Sequence, residues 1–410
     1  MLERPHLTRL LGAASVIAAL ALLFRVVAAI TLVMATDRVS TGTTGPNASR
    51  SPGDAEEPRA AAIRATIRSL REECQRSSEG DWDRWVEKLA PFRASLYARI
   101  CDAKPYSPKA EGTFEARSRV LEGRGDFALF ESSPENYLRY VYDLEWLKTF
   151  RDRRPVVAAA RWLKSLGIDV IFVPVPKMTE VYAEHFADHC PSDRIVAPQV
   201  RRIVLELLES DVEVVELLPA FLEASDKNPA PLFQPADPHW APRAWAIAAE
   251  AVGERLKRYP FVAKALKGPR VCQPVELPYP PASKGATYLG LSPDQQRRAE
   301  AVQPRTFQTV QNSIRSIDDR ASPLIVIGDS YNGGFWECLI REINLPIGNL
   351  SGGGQSTEAF NDLLRDSESL KHCKVVVWLV CNSNLGDWAL PERIRKFGDG
   401  SANATGGEFP

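Results

Sequence analysis

Two short motifs, far apart in the chain, carry the residue types that acyl transfer through a serine ester requires. The Asp-Pro-His-Trp motif at 237–240 places the Asp237 carboxylate two residues before the His239 imidazole. The Gly-Asp-Ser motif at 328–330 puts the Ser330 hydroxyl directly after an apolar run. A serine hydroxyl is a weak nucleophile until a neighbouring imidazole removes its proton, and the imidazole needs an orienting partner. Such sites are defined by roles, so the chain order Asp, His, Ser is compatible with a triad.

Each of these three residues also has a purely structural interpretation. Ser330 could simply occupy a turn, because Gly-Asp-Ser is a good turn sequence. Asp237 could cap a helix that begins near Ala241, which is a common role for aspartate. His239 could be a core histidine beneath that helix. Of the five histidines, however, His239 alone follows a carboxylate at short spacing in a loop before a helix, and this favours the catalytic interpretation.

The predicted secondary structure places both motifs in loops of an α/β fold. Strands are predicted at 168–175, 212–217, 324–327, 347–350 and 374–380, with helices at 155–166, 179–185, 200–209, 241–256, 335–343 and 357–370. Strands that alternate with helices predict a mostly parallel sheet covered on both faces. In such folds the site forms beyond the carboxyl ends of the strands. Two further helices, at 60–75 and 82–100, predict a small helical region before this domain.

The composition is that of an ordinary globular protein, with 410 residues, 51 basic and 52 acidic side chains and 44% hydrophobic residues. The near-zero net charge and the lack of a basic stripe interleaved with aromatics argue against nucleic acid as a partner. Seven cysteines occur without CxxC or histidine-rich spacing, which argues against a zinc site. In an oxidising compartment, Cys74 and Cys101 are the first candidates for a disulfide.

The N-terminus has the pattern of an export signal. Arg4 and Arg9 precede an uncharged apolar run at 10–24, and Arg25 separates it from a second apolar run at 26–35. The whole stretch is long enough to span a bilayer, which needs about 20 residues. We therefore predict an inner-membrane anchor with the body of the protein in the periplasm or outside the cell. Cleavage after the shorter run, giving a secreted protein, is the alternative.

Taken together, these motifs resemble the SGNH-hydrolase-like domain of alginate O-acetyltransferases of the AlgX and AlgJ type. The resemblance covers about residues 127–385 and rests on the Val-Pro-Val-Pro-Lys run at 173–177, the motifs at 237–240 and 328–331, the glycines at 352–354 and the strand at 375–378. It implies an SGNH-like three-layer sandwich. It also implies Ser330 as nucleophile, His239 as general base and acid, and Asp237 as the orienting partner of His239.

The resemblance further implies a role in exopolysaccharide biosynthesis. Members of the family move acetyl groups onto exopolysaccharide hydroxyls outside the inner membrane, together with a membrane-bound O-acyltransferase that supplies the acetyl group. This chain departs from the family pattern at Pro238, where threonine is usual. It also has Leu-Val-Cys-Asn at 379–382, where the last strand usually continues with a glutamate and an arginine. These departures concern the acceptor polysaccharide more than the chemistry.

Further residues near the motifs are candidates for oxyanion or substrate contacts. The backbone N–H groups of Gly352, Gly353 and Gly354 could approach the oxyanion, or these glycines could form a flexible turn between strand and helix. The N–H of Ser330 is another candidate donor, and Asn332 is a candidate side-chain donor.

Three more side chains have two interpretations each. Lys177 could contact an acidic sugar or be a solvated residue at a strand end. Trp240 and Tyr331 could form a platform for sugar rings or pack beside the site. Asp329 is predicted to be a turn residue without a chemical role.

We therefore expect an extracytoplasmic O-acetyltransferase that works through an acetyl-serine and requires no metal or cofactor. A carbohydrate esterase and a non-catalytic polysaccharide-binding scaffold are the alternatives. The expected organisation is an anchor or signal at 1–35, a linker at 36–58, a helical region at 59–126, an SGNH-like domain at 127–390 with an insertion at 268–312, and a tail at 391–410.

Overall fold

The computed structural model describes residues 53–102, 104–105, 119–124, 128–131, 154–228, 230–234, 239–278, 306–311, 320–351, 356–385 and 394. The predicted membrane segment at 10–35 and most of the predicted linker and tail lie outside these ranges. Within the ranges, no helix has the length and hydropathy that crossing a bilayer would require.

Strands and helices alternate along most of the described chain. The strands are β1 (Lys104–Pro105), β2 (Arg119–Glu122), β3 (Ala128–Glu131), β4 (Asp169–Val175), β5 (Glu213–Val214), β6 (Gln273–Pro278), β7 (Thr306–Gln311), β8 (Leu324–Gly328), β9 (Gly348–Ser351) and β10 (Val375–Cys381). The helices are α1 (Gly53–Ser78), α2 (Trp82–Lys88), α3 (Ala90–Asp102), α4 (Arg154–Ser165), α5 (Met178–Val181), α6 (Ala183–Phe186), α7 (Pro198–Glu209), α8 (Leu218–Lys227), α9 (Pro242–Leu256), α10 (Pro260–Leu266), α11 (Phe335–Ile343), α12 (Ser356–Arg365) and α13 (Ser367–His372).

The central sheet has five parallel strands in the order β5-β4-β10-β8-β9. Every residue of β10 is buried, so the sheet is covered on both faces, as its continuous apolar sequence predicts. Trp378 on β10 lies beside Phe172 of β4 and Ile327 of β8. Its indole also stacks on Phe360 of α12, with ring centroids 4.8 Å apart. Burying a large apolar side chain of this kind contributes roughly 1.5–3 kcal/mol, so β10 is the centre of the core.

Two smaller antiparallel sheets lie outside the central one. β1, β2 and β3 form a three-stranded sheet, so the helical part of the region predicted at 59–126 ends at Asp102. β6 and β7 pair with each other and begin and end the predicted insertion at 268–312. That insertion therefore leaves and rejoins the domain through a two-stranded ribbon.

Helix α1 is joined to the main domain by buried ion pairs. Arg201 of α7 is 2% exposed and binds the carboxylates of Glu73 on α1 and Glu216 after β5. Near the start of α1, Arg59 donates to the backbone oxygen of Asp211 at 2.6 Å. Arg201 thus has a glutamate on either side, so its charge is paired where little water reaches it.

Some predicted elements are divided or shortened in the structure. The helix predicted at 82–100 is two helices that meet at Leu89, and α2 begins where the Asp81 side chain accepts from the N–H groups of Asp83 and Arg84. The helix predicted at 357–370 is divided at Asp366, whose carboxylate accepts from the N–H of Ser369 and so begins α13. The strand predicted at 212–217 keeps only two residues, Glu213 and Val214, and α8 begins at Leu218. In the second case an aspartate cap starts a new helix inside a continuous helical pattern.

The predicted disulfide between Cys74 and Cys101 is wrong. All seven cysteines fall within described ranges, and all seven are free thiols. Cys74 is buried with Trp85 and Ile195, and its sulfur lies 3.5 Å from the Ser78 hydroxyl. Cys101, by contrast, is exposed on α3. The two side chains thus occupy different environments. The fact that both lie in one helical region gave no information about this.

Candidate active site

Ser330 lies just beyond the carboxyl end of β8, as the sequence predicts. The strand ends at Gly328, and residues 330–332 form a single turn of 3-10 helix. A Cβ atom on Gly328 would lie 2.9 Å from the backbone oxygen of Leu379 on β10. A glycine therefore lets the strand end approach its neighbour closely before the chain turns to present Ser330, whose side chain is exposed.

His239 is held by a small antiparallel bridge between Phe233 and Trp240. The N–H of Gln234 donates to the His239 oxygen at 3.0 Å. The N–H of Leu232 donates to the phenol oxygen of Tyr182 at 3.0 Å, which ties this segment to the junction between α5 and α6. His239 is therefore fixed to the domain through the described residues on either side of it.

The structure brings His239 and Ser330 together. The Nε2 atom of His239 lies 2.9 Å from the Oγ atom of Ser330, although 91 positions separate them in sequence. The imidazole is half-buried and lies against the Tyr331 ring, with centroids 5.1 Å apart. A hydrogen bond of this length is the geometry in which an imidazole can remove a serine proton. Asp237 and Pro238 lie outside the described residues, so the orienting role of Asp237 stays a prediction.

Asp329 caps the turn, as predicted for a turn residue, but the sequence did not reveal its link to the end of β10. Its side chain is 0% exposed, and its Oδ1 atom accepts from the N–H of Tyr331 at 3.0 Å. Its Oδ2 atom accepts from the N–H of Cys381 and from the side-chain amide of Asn384, each at 2.9 Å. Burial raises the pKa of the Asp329 carboxyl, while these hydrogen bonds and the nearby His239 oppose the rise. The available signal was the polar Asn-Ser-Asn run at 382–384, at the end of a buried strand.

The other predicted contact residues near Ser330 are mostly buried. Asn332 is 0% exposed, and its amide nitrogen donates to the side-chain oxygen of Asn349 on β9 at 2.7 Å. Trp240 is 1% exposed, and its indole N–H donates to the Tyr331 oxygen at 2.7 Å. Tyr331 is itself buried. For the two aromatic residues this favours packing beside the site over an open sugar platform. Gly352, Gly353 and Gly354 lie outside the described residues.

Lys177 is buried at the carboxyl end of β4, not solvated. Its backbone N–H donates to Glu180 at 3.0 Å. The amide of Asn382 donates to both carboxylate oxygens of Glu180, at 2.9 and 3.2 Å. Asn382 occupies one of the positions where the sequence departs from the family pattern. Through Glu180 of α5, it links the end of β10 to Lys177, just after β4.

No cluster of histidine, cysteine, aspartate and glutamate that could hold a metal ion occurs among the described residues. A cleft of about 330 Å³ lies at the opposite, amino-terminal end of β4, next to Lys164, Asp169 and Asp211. It contains none of the predicted site residues.

Comparison with known proteins identifies the family. Residues 147–381, more than half of the chain, match the family model described as "SGNH hydrolase-like domain, acetyltransferase AlgX". The fold is thus an SGNH-like α/β fold with a parallel sheet. The chain belongs to the AlgX family of SGNH hydrolase-like acetyltransferase domains, and the resemblance seen in the sequence is confirmed.

Solved structures are similar to this chain in fold. The O-acetyltransferase domain of Pseudomonas putida AlgJ is 18% identical, with a TM-score of 0.53 over 69% of this chain and 100% of that one. Pseudomonas aeruginosa AlgX is 16% identical, with a TM-score of 0.47 over 73% of this chain and 71% of that one. A search of curated proteins gives no match.

Proposed function

We propose that this protein is an extracytoplasmic O-acetyltransferase that moves acetyl groups onto hydroxyls of an exopolysaccharide through an acetyl-Ser330 intermediate. The observation that carries the proposal is the 2.9 Å contact between His239 Nε2 and Ser330 Oγ at the carboxyl edge of the sheet. Membership of the AlgX acetyltransferase family supports the choice of acetyl as the transferred group.

The proposed reaction has two halves with the same geometry. In the first, His239 takes the Ser330 proton while Ser330 Oγ attacks the acetyl carbonyl, and the imidazolium then protonates the leaving group of the donor. In the second, His239 takes the proton of a sugar hydroxyl that attacks the acetyl-serine. The tetrahedral intermediate then collapses and Ser330 Oγ recovers its proton from the imidazolium. Asp237 would orient His239 and stabilise its charged form.

Each tetrahedral intermediate carries an oxyanion, and the turn after β8 limits which backbone groups can stabilise it. The N–H of Tyr331 donates to the Asp329 side chain, and the N–H of Asn332 donates to the Asp329 backbone oxygen. Both donors are therefore already in use. We assign the N–H of Ser330 as the oxyanion donor from this turn, and the glycines at 352–354 as the source of a second.

The exposure of Ser330 bears on the fate of the acetyl-serine. Ser330 is open to solvent, so water can compete with a sugar hydroxyl for the intermediate. Transfer requires that the acceptor excludes water when it binds. We propose a polysaccharide acceptor, an acetyl supply from a membrane-bound O-acyltransferase, and attachment to the inner membrane through residues 10–35.

Intact-protein mass spectrometry after exposure to a chromogenic acetyl ester tests the proposal. Wild type should gain one acetyl group transiently on Ser330, and Ser330→Ala should gain none. His239→Ala should slow the gain by about 100-fold or more, since general-base catalysis typically supplies a factor of 10² to 10⁴. Ser165→Ala, which changes an exposed serine at the end of α4, is the matched control and should behave as wild type.

The same experiment separates the alternative functions. Adding oligosaccharides should divert acetyl from water to sugar, whereas acetate release that no acceptor changes would indicate an esterase. A wild-type protein that never acquires acetyl on Ser330 would contradict the enzymatic proposal and leave the scaffold alternative.

A further inference from the structure

The buried carboxylate of Asp329 connects the turn that carries the nucleophile to the end of the central strand. One oxygen accepts from Tyr331, inside the turn, and the other accepts from Cys381 and Asn384, beyond β10. Asp329 is 0% exposed, so no water replaces these donors. All three bonds end on a residue directly next to Ser330.

We propose that Asn384, acting through Asp329, is a positioning residue that keeps Ser330 Oγ aligned with His239 Nε2. The proposal rests on the proposed function of Ser330 as nucleophile and extends the site to a residue 54 positions later in the chain. Asn384 touches neither reacting atom. Its amide donates to the Asp329 carboxylate, and that carboxylate in turn accepts from the N–H of Tyr331 in the turn.

The turn after β8 needs such support because it is short. It contains only three residues, and Gly333 and Gly334 follow it at once. A single turn of this kind has little stability of its own. On the side of His239, the Trp240 indole N–H holds the turn through the Tyr331 backbone oxygen. On the opposite side, the buried end of β10 holds the turn through Asp329, the residue directly before Ser330.

The chemistry of the contact makes Asn384 hard to replace. Two donors, the Cys381 N–H and the Asn384 amide, converge on one carboxylate oxygen. Hydrogen bonds to a charged acceptor are roughly twice as strong as neutral ones, and a buried carboxylate that loses a donor is penalised. Removing the Asn384 amide leaves Asp329 free to rotate toward the remaining donor. A small displacement of Ser330 then costs much rate, because a misplacement of about 1 Å can cost roughly 100-fold.

The test is the rate at which phenylmethanesulfonyl fluoride labels Ser330, followed by mass spectrometry, together with hydrolysis of a chromogenic acetyl ester. Asn384→Ala should slow labelling and lower kcat by about tenfold or more, with KM within about twofold of wild type. Asn384→Asp keeps the shape but sets a carboxylate against Asp329, so it should label more slowly still. If Asn384→Ala does not fold, the labelling rate of Asn384→Asp tests the same contact.

Asn344→Ala is the matched control. Asn344 is a buried asparagine whose amide donates to two backbone oxygens, of Ala265 and Pro269, at 2.7 and 3.1 Å, whereas Asn384 is half-buried. Its loss should lower the melting temperature at least as much as Asn384→Ala while leaving the labelling rate unchanged. This control separates positioning from general stability.

The outcomes are distinct. If wild type labels on Ser330 and Asn384→Ala labels equally fast, the positioning role is overturned and the proposed function stands. If Asn384→Ala slows labelling only in proportion to its loss of folded protein, the positioning role is likewise overturned. If wild type does not label at all, the nucleophile assignment fails, and the proposed function fails with it.

Discussion

At the scale of single residues, the site depends on two glycines as much as on its reactive side chains. Gly328 lets β8 end close to β10. Gly334, after the turn, has a φ of +76° and lies where a Cβ atom would be 2.3 Å from the Trp245 ring of α9. Positive φ and the absence of a side chain are both required there, and only glycine provides both.

Gly334→Ala should therefore destabilise the protein by about 2–5 kcal/mol. The left-handed backbone costs about 1–2 kcal/mol, and forcing a methyl group into packed surroundings adds about 1–3 kcal/mol. Gly167→Ala isolates the first cost, because Gly167 also has a φ of +76° but nothing within 4 Å of its Cβ position. Chemical denaturation of both variants measures the difference. Equal losses of stability would show that the contact with Trp245 is unimportant.

The sequence predicted Ser330 and His239 because short motifs marked both, and the structure brings their side chains into contact. It predicted Asp329 as a turn residue but not its link to the end of β10, because two of the three donors to its carboxylate come from residues 381 and 384, far along the chain. The same limit applies to the cysteines. A shared helical region suggested that Cys74 and Cys101 could pair, but only packing decides which face each side chain occupies.

At the scale of elements, the prediction was most accurate where hydrophobic burial alone decides. β4, β8 and β10 are continuous apolar runs between breaks, so their existence and extent follow from the pattern. The divisions at Leu89 and Asp366 could not be read from the pattern, because apolar spacing continues through each junction. At Asp366 a side-chain cap starts the second helix, and caps depend on local geometry.

The ion pairs that join α1, α7 and β5 give an expected pH dependence. Burial raises the pKa of Glu216 to about 7, with Arg201 opposing the rise and Glu73 adding to it. A glutamate carboxyl in the unfolded chain has a pKa of about 4.3. Because Glu216 holds its proton more tightly when folded, the stability that it contributes is fully present below about pH 4.3 and is lost as the pH rises through about 7.

The melting temperature of wild type relative to Glu216→Gln should therefore fall as the pH is raised from 5 to 8. Glutamine stays neutral, so it lacks the cost of ionising a buried carboxyl. Thermal unfolding at several pH values measures the difference, with Glu358→Gln, at an exposed position on α12, as control. A difference that grows with pH would show that pairing with Arg201 outweighs burial.

At the scale of the whole molecule, the chain holds its fold without covalent cross-links between its cysteines. Burial raises the pKa of Cys373 to about 12 and the pKa of Cys381 to about 11. These thiols are thus both shielded and protonated near neutral pH, whereas Cys101 is exposed on α3.

Ellman's reagent should accordingly react quickly with Cys101 in the native protein and slowly with Cys373 and Cys381. Cys101→Ser should remove the fast phase. After denaturation without reductant, all seven thiols should react. A lower total that reductant restores would show that a disulfide forms in solution.

The order in which the sheet is assembled differs from the order in which it is synthesised. β10 is the last of the five strands along the chain, yet it lies in the middle and pairs with both β4 and β8. Until β10 has been synthesised, β4 and β8 each lack the strand that pairs with both of them. The segments that carry His239 and Ser330 are then not joined through one sheet. A nascent chain therefore exposes unpaired edges of β4 and β8 until β10 is available. The proposed activity should therefore appear in one step, when β10 inserts between β4 and β8.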